Sequence, residues 1–183
     1  TFGGFSGLAS SLAIYFNNQY GLSPVTAGYF TAACVFAGSL VRPLGGRMAD
    51  RIGGIKALSI MYAVAASALF VASIGMGSAM GAATVFVVAM LALGAGNGAV
   101  FQLVPQRFRK EIGVMTGMVG MAGGIGGFYL ASSLGLSRQI TGSYQTGLII
   151  FGLLAVVALL GLGSVKQRWR TTWGSAAMTS AKV

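Results

Sequence analysis

Long apolar runs separated by short polar connections repeat six times along the chain. They cover roughly residues 1–16, 25–46, 55–76, 82–104, 112–134 and 144–165. About 20 apolar residues suffice to cross the hydrocarbon core of a bilayer, about 30 Å thick, as an α-helix. The apolar residues run continuously instead of alternating, so no segment reads as a strand. The pattern predicts an all-α membrane protein of six transmembrane helices, forming one bundle over 1–165, followed by a polar tail over 166–183. The first run is the shortest. The chain opens at Thr1 in apolar sequence with no basic stretch or cleavage site ahead of it, unlike a signal peptide. This reads as a chain entered inside a helix, the C-terminal part of a longer membrane protein.

Composition sharpens this reading. Charged residues make up 8% of the 183, and hydrophobic ones 55%, against about 25% charged in a soluble domain. That excludes a soluble globular enzyme and a disordered tail. With no His and one Cys, Cys34, neither a zinc site of the usual kind nor a disulfide framework is expected. No cofactor or metal is called for.

The formal net charge of +10 would suggest nucleic acid in a soluble protein, but its distribution points elsewhere. Three cations, Arg47, Arg51 and Lys56, sit in the second connection. Three more, Arg107, Arg109 and Lys110, sit in the fourth, and four, Lys166, Arg168, Arg170 and Lys182, in the tail. The first and third connections carry none, and the fifth only Arg138. Alternation of this kind is the positive-inside pattern. It places the rich side and both ends of the chain in the cytoplasm, with a lipid bilayer and not nucleic acid as the partner. Trp169 and Trp173 in the tail fit an interfacial anchor beside snorkelling cations, with a partner-binding tail as the other reading.

Arg42 is the one charge set inside a predicted span and not at its edge. A buried arginine is costly in a membrane and usually faces a cavity or a partner. Arg42 also stands five residues from Arg47, about 7.5 Å along a helix, so snorkelling to the cytoplasmic surface is the competing reading. No span holds an acidic residue to neutralise it. Its counter-charge is then an anion, a backbone carbonyl or another segment, and its planar fork suits flat oxyanions. With no Asp, Glu or His in any span, no proton-binding group is expected in these helices.

Other positions are more ambiguous. Asn97, within Gly94-Ala95-Gly96-Asn97-Gly98, can bond a ligand or serve as glue between helices. Gln102 reads as structural. The fifth span carries Gly113, Gly117, Gly120, Gly124 and Gly127, widened by Gly123 and Gly126. Interior glycine costs about 0.5–1 kcal/mol against alanine in a soluble helix, so a face of it needs a return. The strip either permits close helix contact or exposes backbone to a small substrate. Ser10, Ser11 and the other hydroxyls have no His to activate them and read as helix packing, so an enzyme is not expected.

Between the second and third spans, Gly46, Asp50, Arg51 and Gly53 spell G-x-x-x-D-R-x-G. This resembles the cytoplasmic loop motif of the major facilitator superfamily. It is read here as a loop that acts as a conformational latch, with Asp50 accepting from a helix N-terminus or pairing with Arg. Four further features, in this order, are similar to the nitrate/nitrite porter family of that superfamily. They are Thr1–Gly7 opening a span, Arg42 ahead of the loop, Gly96-Asn97-Gly98 running to Pro105, and the Gly117–Gly127 strip. The tail Arg168–Gly174 is similar to bacterial members.

The resemblance implies one half, spans seven to twelve, of a twelve-helix fold in the bacterial inner membrane. The whole transporter would carry nitrate or nitrite by alternating access, as symporter or nitrate/nitrite antiporter, in nitrate assimilation, and this half alone would not. It also implies a partnering N-terminal half that supplies a second arginine, with coupling from nitrite exchange or from residues of that half. Arg42 would be the substrate arginine and Phe2 the aromatic residue packed on the anion. Asn97, Gly120, Gly123 and Gly124 would complete the binding site, and Gly113, Gly117 and Gly127 would pack helices. The strip here has no Asn, unlike the matching signature of the family's first half, so its contacts would be backbone and close packing. A transporter of another small anion or solute, or a non-transporting membrane subunit, are the alternatives.

Overall fold

The computed structural model describes residues 1–172, with backbone alone at Arg107 and over 166–172. Seven helices follow in order: α1 Phe2–Tyr20, α2 Pro24–Leu40, α3 Arg42–Ile52, α4 Gly54–Ile74, α5 Ala79–Arg107, α6 Ile112–Thr141 and α7 Gln145–Thr172. Five segments are long and apolar enough to cross a membrane: Pro24–Ile52, Gly54–Ile74, Ala79–Gln106, Ile112–Thr141 and Gln145–Val165. The sixth expected span, α1, is not among them. At 19 residues it is about 28 Å long, but Ser6, Ser10, Ser11, Asn17 and Asn18 make it more polar. The three serine hydroxyls each donate to a carbonyl about one turn back, which satisfies them inside an apolar bundle.

α1 packs against α6 and α2, α5 against α2, α3 and α4, and α4 against α7, with α6 closing on α7. The main core gathers Phe5, Leu8, Leu12 and Phe16 of α1 with Leu69, Phe86, Met90, Leu93 and Leu148. Large apolar side chains also line the outside, among them Tyr29, Phe36, Ile140, Val157 and Leu160. A helix apolar on both its inner and outer faces is built for lipid.

The helices outrun the expected spans, for local reasons. α1 runs to Tyr20, past the expected 16, and stops where Gly21 takes a left-handed φ of 63°, a conformation glycine adopts at no steric cost. α5 starts early because Ser78 caps it, accepting from the Gly81 N–H at 3.1 Å. α6 passes 134 and stops only at Gly142, φ 71°. Arg138 therefore lies in its last turn instead of in a connection. There it donates to the Gly142 carbonyl and complements the negative helix end. α7 continues through the first part of the expected tail to Thr172, while residues 173–183 lie outside the described residues.

The largest correction concerns the second span and the expected loop. The span breaks at Val41, where α2 ends and α3 begins with Pro43 in its first turn. Proline has no N–H to give to the turn before it, so the hydrogen-bond ladder lapses there although Val41 keeps right-handed helical angles, φ −76° and ψ −13°. α3 then carries Gly46, Asp50 and Arg51 as helix, leaving only Gly53 at a turn. No proline interrupts Leu44–Ile52, and the glycines that made it read as a loop are held by α5. Gly53 has φ 93° and ψ 138°, a region essentially closed to other residues, and it joins α3 to α4.

Candidate functional site

The site is built on backbone contact between α5 and the α2–α3 break. A side chain on Gly94 would overlap the Gly38 carbonyl, one on Gly45 the Ala95 carbonyl, and one on Gly98 the Arg42 carbonyl. Small residues allow such close approach of membrane helices. Three contacts in register hold the end of α2 and the start of α3, with the backbone of Arg42, against α5.

From that point the Arg42 guanidinium lies over the Phe5 ring, its central carbon 4.6 Å from the ring centroid. A ring face attracts a cation through its quadrupole. Arg42 is half-buried, and its Nε is buried with no hydrogen-bond partner. Asn97, next to the Gly98 that meets Arg42, is 2% exposed, and its Oδ1 is likewise unpartnered. An orphaned buried polar group costs about 1–3 kcal/mol. Both orphans flank one helix contact, and one of them belongs to a cation.

The acidic residues do not relieve that charge. Asp50 is eight residues beyond Arg42 on the same helix, about 12 Å away along the axis. Its Oδ1 accepts from Gln102 Nε2 at 2.5 Å and from Gln106 Nε2 at 3.4 Å. Among the described side chains, its partners are two amides one turn apart on α5. This ties the end of α3 to the end of α5 beside a second small core of Ala49, Ala57, Leu58 and Ala99. The cation-rich connections accordingly gather at one end of the bundle. The other end holds edge-on contacts of Tyr15 with Phe16, Phe86 and Tyr144, with Arg138 over the Tyr144 ring at 5.7 Å.

The glycine strip of α6 divides between two faces. Gly123 lies under the Phe2 ring, Gly126 against Gly3, and Gly127 against Ser6. Gly113, Gly117, Gly120 and Gly124 meet nothing within 4 Å. Gly127 therefore sits at a helix contact, while a side chain on Gly113 or Gly117 would enter open space among the described residues. Gly123 lies beneath Phe2, and Gly120 and Gly124 face open space.

The structure thus brings together Arg42, Gly98 and Asn97, and separately Phe2 and Gly123. The first turn of α1 links the two groups. Sequence reasoning missed Phe5 and Gln106. The signal for Phe5 was its place three residues after Phe2, on the same side of a helix.

The Major Facilitator Superfamily model matches residues 1–131. The chain belongs to that superfamily. It is therefore a multi-pass membrane protein of a transporter family, with the fold of one half of the twelve-helix architecture. Among curated relatives it is similar to the probable nitrate transporter NarT of Staphylococcus carnosus, 35% identical over 160 residues, 86% of this chain and 40% of the relative. It is also similar to the nitrite extrusion protein of Bacillus subtilis, 34% identical over 164 residues, 87% of this chain and 40% of the relative. A third is the probable nitrate/nitrite transporter NarK2 of Mycobacterium tuberculosis, 33% identical over 159 residues, 86% of this chain and 40% of the relative. The chain spans about 40% of the length of these relatives.

Proposed function

We propose that the chain forms the C-terminal half of a nitrate/nitrite transporter working by alternating access, with Arg42 as this half's anion-binding residue. The observation that carries the reading is a buried guanidinium nitrogen without a partner, in a superfamily member whose relatives are named for nitrate and nitrite. Nitrate and nitrite are flat and singly charged, and they match the fork of Arg42 in shape and in charge. The Phe2 ring supplies shape and excludes water, since a ring quadrupole does not attract an anion. Asn97 borders the site from α5. Gly113, Gly117, Gly120 and Gly124 present bare backbone to a six-helix N-terminal half, which rocks against this one about a midplane site. The asymmetry of Lys and Arg supports a cytoplasmic cation-rich end, in a bacterial inner membrane, where the Asp50 contact with α5 steadies one arrangement. The chain carries a solute and performs no chemistry on it.

The test is the full-length transporter carrying Arg42→Lys, reconstituted in liposomes. Lys keeps the charge and loses the bidentate geometry. A charge-assisted hydrogen bond is worth about 1.5–3 kcal/mol, so nitrate uptake should fall about 10- to 100-fold while insertion and folding hold. Near-normal uptake overturns the assignment. Competition by nitrate and nitrite, with organic acids inert, is the expected specificity, and the reverse pattern identifies a porter of another anion.

A further inference from the structure

We infer that Phe5 is a positioning residue for Arg42, holding the guanidinium by its face so that its edge stays open to a flat oxyanion. The inference rests on the nitrate reading above and deepens it, because it names what orients the fork.

Three observations converge. The Phe5 ring is 5% exposed and belongs to the main core, so it is itself held by packing. The Arg42 guanidinium lies on it at 4.6 Å. The Arg42 Nε, one of the two donors of the side-on fork, has no partner. An arginine held through its edge by a carboxylate or carbonyl would have spent those donors. A ring against the guanidinium carries no counter-charge and offers no oxygen to its N–H groups, so it leaves Nε unspent while limiting rotation. Bidentate recognition needs the donors in one plane at a fixed angle, and a rigid aromatic platform supplies that at low entropic cost.

The seat for the ring is built from backbone. A side chain on Gly38 would stand 2.7 Å from Phe5 Cε2 and 2.6 Å from the Met90 carbonyl oxygen. Phe5 therefore lies where α1 meets the same α2–α5 contact that fixes the Arg42 backbone. Ring and guanidinium are set against one another from two helices anchored at one crossing. A large residue at 5 and a glycine at 38 are both required by that arrangement.

The experiment uses the full-length transporter with phenylalanine at position 5 replaced by its mono-, di- and trifluorinated analogues, alongside Phe5→Leu. Fluorination drains the ring quadrupole while nearly keeping its shape, so a merely structural ring is indifferent to it. Nitrate affinity should fall stepwise with each fluorine and about tenfold for Phe5→Leu, within the range of a desolvated cation–π contact. The maximal rate should change less than the half-saturation concentration. Should Phe5→Leu fail to fold, the fluorinated series decides alone. An affinity flat across the series overturns the inference. If Arg42→Lys still loses transport in that case, the nitrate reading stands without it. A wild-type protein that binds no nitrate overturns both.

Discussion

Gly98→Ala is the sharpest test of how the site is held. The new methyl would overlap the Arg42 carbonyl oxygen, with the carbonyl carbon at 2.9 Å and the Gly46 nitrogen at 3.1 Å, where ordinary contact begins at 3.4 Å. Each of these is a backbone atom, so no side chain can swing aside. α3 must retreat from α5 by at least about half an ångström, and more at the oxygen. Overpacking of this kind costs about 1–3 kcal/mol, and a double backbone clash belongs near the top of that range. Replacing glycine in a helix returns about 0.5–1 kcal/mol, leaving a net loss of about 2 kcal/mol. Gly46→Ala is the control on the same contact. Its methyl would stand 3.6 Å from the Gly98 carbonyl oxygen, in ordinary contact, so it should keep or slightly raise stability although Gly46 belongs to the superfamily motif. The assay is thermal unfolding of the purified transporter in detergent, followed by nitrate uptake in liposomes. Gly98→Ala should melt lower and transport markedly less, since misplacing a binding group by about 1 Å can cost about 100-fold. Equal melting and equal uptake for the two variants would refute the claim that backbone contact fixes Arg42.

Other outcomes follow from single contacts. Gln102→Ala removes the 2.5 Å donor to Asp50 and leaves the weaker Gln106 contact, so thermal stability should fall by about 0.5–1 kcal/mol, and by less at high salt. Gly124→Ala adds a methyl into open space, so the variant should melt no lower than wild type. Where the open face meets the second half, its uptake should nevertheless drop. A variant that melts lower but transports normally would contradict both parts.

The apolar repeat was legible because a bilayer leaves little choice. Every backbone group inside it must bond within its own helix, so a run of the right length is already an element. What stayed hidden depended on neighbours far along the chain. Pro43–Gly54 reads as a loop because two glycine pairs and three charges, Arg47, Asp50 and Arg51, look like a connector. It folds as helix because α5 lies close enough to cover Gly45 with backbone. The α6 strip looks like one face, yet helical pitch sets Gly123 about a quarter-turn, and Gly126 nearly a half-turn, from Gly113 and Gly124. Only the position of α1 reveals which side is covered. Arg42 and Asn97 stood out by type, whereas Phe5 resembled any core aromatic until a guanidinium was found on its face. The Asp50 partners were missed because an amide bond from the facing helix leaves no charge pattern to read.

These contacts make α1 the mechanical link of the site. Phe2 rests on Gly123 of α6 and Phe5 lies under Arg42 of α3, and the two rings are three residues apart on one helix. Glycine at 3, 7, 126 and 127 brings α1 and α6 to near backbone contact, which leaves them little freedom to slide independently. A displacement of α6, whose other face is open, therefore reaches Phe2 first and then the ring beneath the guanidinium. α2 and α3 are anchored instead to α5, through carbonyls that no side chain separates. Arg42 is thus held by its backbone at the α3–α5 contact and by its guanidinium against the Phe5 ring of α1. In the proposed transporter, an anion that needs both donors in plane would bind best where Phe5 holds the guanidinium in that orientation, and that differential affinity would let occupancy bias one conformation over the other.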